Sequence, residues 1–287
     1  MRQSSWVRII WASLHALLLS VLTGHAHAGE FNKTLSTGQA RIYYPSFSPA
    51  ACEVIVLGVG TAMANKNYSK LAGKLNNFGY IVAILDHNPN NITKTDAGKY
   101  LALAKDVKAN LLTWLSGTGL TCSNGIAHWV MGGHSAGGQA AQNAVGNNPG
   151  LAQAIFSIDP YDMSSAAVVS VPSLYWGFDT TTCFVEKEKA AKAAYYRSTG
   201  KRELVRVNVP NGASVCGYSP KYFHCSFTDG TCPACTNCQY PPSSFYTEVA
   251  TSVNKFINAA FYGTWSKANL SFSSNVPKTI YEGTDTP

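Results

Sequence analysis

The chain of 287 residues carries little charge, because Asp, Glu, Lys and Arg together make up only 13% of it. It contains no internal repeat and no dense run of lysine or arginine, and its formal net charge is a mild +7. These absences argue against a nucleic-acid-binding protein, which concentrates basic side chains on one surface. Because 46% of its residues are hydrophobic, the chain can instead bury a sizeable core.

The longest apolar stretch lies at the N-terminus, and no later segment is apolar enough to cross a membrane. Two arginines accompany the apolar segment 9–22, and Ala26-His27-Ala28 has the small residues of a cleavage site. This arrangement predicts a signal peptide over residues 1–28. An uncleaved membrane anchor is the alternative, but the apolar segment is shorter than the roughly 20 residues that a span needs. We therefore expect an exported protein, either extracellular or periplasmic.

All eight cysteines follow the predicted signal peptide. An even number of cysteines in an exported protein predicts disulfide bonds. A metal site is the alternative for the three most closely spaced cysteines, but a second, separate Cys-x-x-Cys pair is lacking, so we expect no metal ion. The sequence leaves open how the last six cysteines pair. These are Cys183, Cys216, Cys225, Cys232, Cys235 and Cys238.

Apolar runs of strand length alternate with helical stretches along the chain. Strands are predicted at 40–44, 53–58, 80–85, 126–131, 154–158, 173–176 and 203–209. Helices are predicted at 68–78, 96–115, 138–145, 187–198 and 244–261. Continuous apolar strands separated by helices predict an α/β fold, in which a mostly parallel sheet carries helices on both faces. We expect one domain over residues 29–263, followed at 264–287 by a tail of surface loop packed on that domain or trailing from it.

The stretch VMGGHSAGGQAAQNAV, residues 130–145, contains the pattern Gly133-His134-Ser135-Ala136-Gly137. An apolar run of strand length precedes this pattern, and helix-forming residues follow it. A strand, a tight glycine turn and a helix make up a nucleophile elbow, in which the serine hydroxyl is presented at the turn. The alternative is a glycine-rich turn in which Ser135 is only one more small residue.

A serine hydroxyl needs an adjacent base before it can act as a nucleophile. The base that accompanies such an elbow comes after the serine in the chain, with an acid between the two. His224 is the only histidine after Ser135. We expect the side chain of His134 to point away from Ser135, His128 to be a packed strand residue, and His87 to end an earlier strand.

Two aspartates between Ser135 and His224 directly follow apolar strands, and each is a candidate for the acid. Asp159 follows the strand at 154–158, and Asp179 comes shortly after the strand at 173–176. Because parallel strands end at the same edge of a sheet, either carboxylate could lie beside the serine. The residues by themselves leave both candidates open.

With these motifs, the chain resembles the secreted α/β-hydrolases that include chlorophyllases, cutinase-type polyester hydrolases and related lipases. The resemblance covers nearly the whole mature chain. It rests on residues 41–45, residues 77–86, Gly133-His-Ser-Ala-Gly-Gly138, Ile158-Asp-Pro-Tyr-Asp162 and Phe223-His-Cys225. Chlorophyllases carry their acid in an Asp-Pro-x-Asp stretch, which implies Asp159, whereas the polyester hydrolases carry it after the next strand, which implies Asp179. The longer Asp-Pro-Tyr-Asp match favours Asp159.

The resemblance also implies two oxyanion donors and one disulfide bond. The donors are the backbone N–H groups of Ala136, directly after the serine, and of Thr61, in the loop after an early strand. The chain departs from its relatives here, since Val59-Gly60 stands where many have His-Gly, and Ala136 stands where chlorophyllases usually have arginine. Cys52 and Cys122 precede strands that are neighbours in the resembled fold, so a Cys52–Cys122 disulfide is expected.

The function implied by the resemblance is that of a serine carboxyl-ester hydrolase. It would act through an acyl-enzyme on apolar esters of lipid, polyester or chlorophyll-like type, without a metal or organic cofactor and without a nucleic-acid partner. A catalytically silent relative that only binds its ligand is the main alternative, and a peptidase is a second; the oligomeric state stays open. Several aromatic side chains near the predicted sheet edge could line an apolar site. They are Tyr161, Trp176, Phe178, Tyr222 and Phe223.

Overall fold

The computed structural model describes residues 28–86, 96–183, 185–208, 222–229, 241–274, 276–283 and 287. Most of the predicted signal peptide, His87 and four of the cysteines (Cys216, Cys232, Cys235 and Cys238) lie outside these residues. Within them, no helix combines the length and the hydropathy that a membrane span requires.

The described residues contain one nine-stranded sheet. Its strands are β1 (Gly29–Leu35), β2 (Gly38–Tyr44), β3 (Cys52–Gly58), β4 (Ile81–Asp86), β5 (Ile126–His134), β6 (Ala154–Ile158), β7 (Ser173–Phe178), β8 (Arg202–Val207) and β9 (Lys278–Glu282). They lie in the order β1-β2-β4-β3-β5-β6-β7-β8-β9. The six central strands are parallel to one another; they are β4, β3, β5, β6, β7 and β8. Strands β1 and β2 at one end of the sheet and β9 at the other are antiparallel to their neighbours. The predicted α/β architecture with a mostly parallel sheet is confirmed.

Helices cover both faces of the sheet. They are α1 (Ser69–Asn76), α2 (Ala97–Leu115), α3 (Ala136–Asn147), α4 (Ala191–Tyr196), α5 (Ser243–Ile257) and α6 (Lys267–Leu270). Helices α1 and α5 contribute to one core with Leu71 and Phe256, and α2 and α3 contribute to the other with Leu103 and Ala141. Because each face is shielded from water, the central strands are mostly buried, and β6 and β7 are buried along their whole length.

The expectation that residues 264–287 form a surface loop is wrong. This segment contributes α6 and β9, and β9 pairs with β8 so that Ile280 lies opposite Val205. Leu270 and Val276 are buried in the core. Every residue of β9 is half-buried, since the strand closes one end of the sheet, and it therefore lacks the apolar run that marks the central strands.

The parallel strands place the candidate catalytic residues and the Cys52–Cys122 pair at opposite edges of the sheet. Ser135 and Asp159 directly follow β5 and β6, at the edge where these strands end. Cys52 and Cys122 lie at the other edge and form a disulfide bond with their Cα atoms 5.5 Å apart, which confirms the predicted pairing. Cys183 and Cys225 each take part in a disulfide bond as well.

Candidate active site

Ser135 occupies the turn between β5 and α3 with φ 54° and ψ −123°, a backbone conformation that non-glycine residues rarely adopt. Several backbone hydrogen bonds hold it there. Its N–H donates to the carbonyl of Ile158 at 3.1 Å, and its own carbonyl accepts from the N–H groups of Gly138 and Tyr161 at 3.0 and 2.9 Å. A strained residue persists only where its surroundings over-determine it, so the turn is a rigid support for the serine hydroxyl.

The glycines around the serine are required by close packing of α3 onto β3. A Cβ on Gly137 would lie 2.2 Å from the carbonyl oxygen of Gly58, and a Cβ on Gly133 would lie 2.4 Å from the carbonyl carbon of Gly137. Neither position tolerates a side chain without movement of the backbone. The Gly-x-Ser-x-Gly pattern therefore places the first turn of α3 directly against the end of β3.

The structure brings Asp159 and His224 together although 65 residues separate them. His224 begins a short 3-10 helix, His224–Phe227, which is called the His224 turn below. Its Nδ1 donates to Oδ2 of Asp159 at 2.7 Å, and the two side chains are 5% and 3% exposed. Of the two candidate acids, Asp159, which follows β6, is therefore the one that contacts His224. Asp179, the other candidate, follows β7 and is only half-buried.

Asp159 is held in an unusual environment. Its φ is 39°, and its N–H donates to the carbonyl of Trp176 at 2.6 Å. Burial raises the pKa of Asp159, while the hydrogen bonds from His224 and, at 3.4 Å, from Thr182 work in the opposite direction. A buried carboxylate that accepts from an imidazole N–H fixes the orientation and the tautomer of the ring, which leaves Nε2 of His224 able to accept a proton.

The resemblance implies the backbone N–H groups of Thr61 and Ala136 as oxyanion donors, and both residues lie close to Ser135 in the chain or in space. Residues 59–63, called the β3 loop below, continue β3 past Ser135; a Cβ on Gly60 would lie 3.3 Å from Cβ of Ser135. Among the described residues, no acceptor pairs with the N–H of Thr61 or of Ala136. Ala136 is the first residue of α3, whose N-terminus favours negative charge.

His134 does not simply point away from the site, as the sequence suggested. Its ring is buried, with its centroid 4.5 Å from that of the His224 ring. Its Nε2 lies 2.9 Å from the carbonyl oxygen of His224, and its Nδ1 lies 3.0 Å from the hydroxyl of Tyr68. Sequence reasoning missed Tyr68, because it reads as the start of an amphipathic helix and contacts a residue 66 positions away. His128, also outside the predicted site, pairs with Glu53 at 3.0 Å and is half-buried.

Five aromatic residues could line an apolar site or be ordinary core or surface residues, and three of them are buried. Trp176 is fully buried, stacks edge-on against Phe227 and donates its indole N–H to Ser252 at 3.1 Å. Phe178 and Phe223 are 5% and 2% exposed. Tyr161 and Tyr222 are half-buried and keep surface that a ligand could contact.

No cluster of three or more His, Cys, Asp or Glu side chains in the described ranges is arranged to hold a metal ion. Comparison with models of known protein families finds no match for this chain, and no curated protein matches it.

Proposed function

We propose that the protein is a secreted serine hydrolase of the α/β-hydrolase fold that cleaves carboxylic ester bonds. The observation that carries the proposal is the buried 2.7 Å hydrogen bond between Asp159 and His224, beside a serine in a strained strand-turn-helix junction. The local sequence pattern indicates Ser135 as the nucleophile, whereas the contact between Asp159 and His224 depends on the tertiary structure. Ser135 and Asp159 follow neighbouring strands, and the ring of His134, the residue before Ser135, lies 4.5 Å from that of His224; this supports a catalytic serine, base and acid at one edge of the sheet.

In the proposed mechanism, Nε2 of His224 accepts the proton of the Ser135 hydroxyl as its oxygen attacks the ester carbonyl. Asp159 accepts from Nδ1 and stabilises the imidazolium that forms. The N–H groups of Thr61 and Ala136 bind the oxyanion of the tetrahedral intermediate, a contribution of about 3 kcal/mol per donor. The protonated His224 then donates to the leaving alcohol, and water hydrolyses the acyl-enzyme by the same sequence of steps.

The proposal includes export from the cell and an apolar substrate. The Cys52–Cys122 disulfide is typical of proteins that fold in oxidising compartments, which agrees with the predicted signal peptide. For the substrate, only Tyr161 and Tyr222 remain as half-exposed aromatic residues of the predicted set. We propose an apolar ester and leave lipid, polyester and chlorophyll-like esters as the substrates to compare.

The test is ester hydrolysis by the mature chain and by Ser135→Ala. We expect p-nitrophenyl esters of graded acyl length to be hydrolysed, and Ser135→Ala to lower kcat/KM by about 10⁴-fold or more. A fluorophosphonate should label the wild-type protein at Ser135, as read by peptide mass spectrometry. Ser157→Ala is the matched control, because Ser157 is also a buried serine and its hydroxyl has no hydrogen-bond partner among the described residues.

Two results would contradict the proposal. If Ser135→Ala kept turnover close to that of Ser157→Ala, the nucleophile would lie elsewhere. If the folded wild-type protein neither hydrolysed any ester nor reacted with the fluorophosphonate, the chain would be a binding protein that has the fold without the activity.

A further inference from the structure

A chain of three buried hydrogen bonds connects the β3 loop to the His224 turn. The N–H of Gly60 donates to the hydroxyl of Tyr68 at 2.9 Å. That hydroxyl lies 3.0 Å from Nδ1 of His134, and Nε2 of His134 lies 2.9 Å from the carbonyl oxygen of His224. Tyr68 is 1% exposed and His134 is 2% exposed. Neither residue has a role in the mechanism proposed above.

The direction of each hydrogen bond follows from the groups at the two ends of this chain. The carbonyl of His224 can only accept, so the proton of a neutral His134 must be on Nε2. Nδ1 of His134 is then an acceptor. The hydroxyl of Tyr68 accepts from Gly60 and has one proton left, which it donates to Nδ1. In this arrangement every donor and acceptor of the chain has a hydrogen-bond partner. Burial lowers the pKa of His134 well below its ordinary value, and the ring therefore stays neutral.

The two ends of the chain are what distinguish it from an ordinary buried tyrosine contact. One end is Gly60, adjacent to the predicted oxyanion donor Thr61, and the other is the backbone of the predicted base. A Cβ on Gly60 would lie 2.9 Å from Nδ1 of His134, so the β3 loop and the imidazole are packed directly together. A shift of Tyr68 or His134 would therefore move the oxyanion donor and the base relative to each other.

We propose that Tyr68 and His134 are positioning residues that set the distance between the oxyanion donor of the β3 loop and His224. This inference rests on the proposed esterase function, whose reaction requires both groups at the same carbonyl carbon. Misplacement by about 1 Å can cost about 100-fold in rate, so a hydrogen-bonded chain of this kind has a measurable effect on catalysis. It acts through the groups that it holds and touches no substrate.

The first test compares Tyr68→Phe with Tyr175→Phe. Tyr175 is a matched control, because it is also fully buried and its hydroxyl contacts Gln142 and Ser198 at 2.6 and 2.8 Å, in the core on the other face of the sheet. Both variants should lose similar thermal stability. We expect Tyr68→Phe to lower kcat by about 10- to 100-fold with little change in KM, and Tyr175→Phe to keep kcat near that of the wild type.

The second test uses two substitutions of His134. Gln can still donate an amide N–H toward the carbonyl of His224, whereas Leu of similar volume cannot. We expect His134→Gln to retain about tenfold more kcat than His134→Leu. Equal losses in these two variants, or equal kcat values for Tyr68→Phe and Tyr175→Phe, would overturn the positioning role.

Ring-nitrogen NMR separates this inference from the proposed function. In the wild-type protein we expect one histidine that stays neutral, with its proton on Nε2, between about pH 5 and pH 8, where an ordinary histidine titrates. The signal should be assigned by its loss in His134→Gln, and its nitrogen shifts should change in Tyr68→Phe. A protonated Nδ1 at His134 would overturn the inference in an active enzyme. A folded wild-type protein without esterase activity would overturn the proposed function and, with it, the positioning role.

Discussion

At the scale of single residues, backbone strain is concentrated where the chemistry is proposed. Among the described residues, five non-glycine residues have positive φ. Three of them belong to the proposed site: Ala62 in the β3 loop, Ser135 at the elbow, and Asp159, which pairs with His224. The five are Ala62, Ser135, Asp159, Asp162 and Cys183. Each such conformation costs about 1–3 kcal/mol. The surrounding hydrogen bonds and close packing must offset this cost, which suits a site whose groups are held before substrate arrives.

The choice between the two candidate acids gives a prediction at the same scale. Asp159→Asn should lower kcat/KM by about 10⁴-fold, because an amide in place of the carboxylate favours the wrong tautomer of His224. Asp179→Asn should keep kcat/KM close to that of the wild type. Steady-state kinetics of both variants on one activated ester decides between them. If Asp179→Asn were the more damaging change, the acid would be the one that follows β7.

At the scale of elements, the parallel strands place the proposed active site and the Cys52–Cys122 disulfide at opposite edges of the sheet. The Cys52–Cys122 disulfide joins the start of β3 to the residues before β5, and the N–H of Cys52 donates to the carbonyl of Gly125 beside it at 3.0 Å. The proposed active site lies at the other end of the same two strands. A change in the disulfide should therefore affect stability much more than catalysis.

The double variant Cys52→Ala/Cys122→Ala tests this separation. The disulfide closes a loop of 70 residues in sequence, so its loss should lower the free energy of unfolding by about 4 kcal/mol on the chain-entropy model. The melting temperature should then fall by about 10 °C. Calorimetry measures the first effect, and kcat/KM at a temperature where both proteins are folded should be unchanged.

Chemical reduction cannot replace the double variant, because it would also break the disulfide bond of Cys225, which directly follows His224. A loss of kcat/KM in the folded double variant would show that the two edges of the sheet are coupled. Peptide mapping that found Cys52 joined to another cysteine would contradict the pairing itself.

At the scale of the whole molecule, one buried acid should make stability depend on pH. Glu203 in β8 is fully buried, and its two carboxylate oxygens have no hydrogen-bond partner among the described residues. Burial, and to a lesser extent the proximity of Glu282 in β9, raise the pKa of Glu203 well above its ordinary value of 4.5. Glu282 lies opposite Glu203 in the β8–β9 ladder, which exists because the C-terminal segment joins the sheet.

Glu203→Gln should remove this dependence. Above pH 4.5 the unfolded chain loses the proton of Glu203 while the folded chain keeps it, so the free energy of unfolding falls as pH rises toward the raised pKa. We expect Glu203→Gln to melt at a higher temperature than the wild type at neutral pH, and the difference to shrink as pH falls through 4.5.

Glu186→Gln is the control for Glu203→Gln. Glu186 is an exposed acid that pairs with Lys189 at the surface, so its substitution should leave the pH dependence of melting unchanged. A Glu203→Gln variant whose melting temperature followed that of the wild type at every pH would show that Glu203 is hydrated in the folded protein.

The sequence by itself determined the features that depend on local order along the chain. The central strands are apolar runs because both of their faces are buried, and the glycines around Ser135 mark a turn that only small residues fit. The Cys52–Cys122 pair followed from a resemblance that makes two strands neighbours. Strand β9 was missed, because a half-exposed strand at the end of a sheet carries no comparable pattern.

Only the tertiary structure decided how residues distant in sequence meet. Asp159 and Asp179 both come after buried strands, and the Asp-Pro-Tyr-Asp match favours Asp159 only through the resemblance. The hydrogen bond of Asp159 to a histidine 65 positions away depends on the fold. The sequence is compatible with either a site role or a core role for Trp176, and the fold buries it in the core, where it packs edge-on against Phe227. The contact of Tyr68 with His134 likewise depends on how a helix and two loops pack. Such contacts are set by the summed packing of many elements, and each short stretch of sequence specifies only its own conformation.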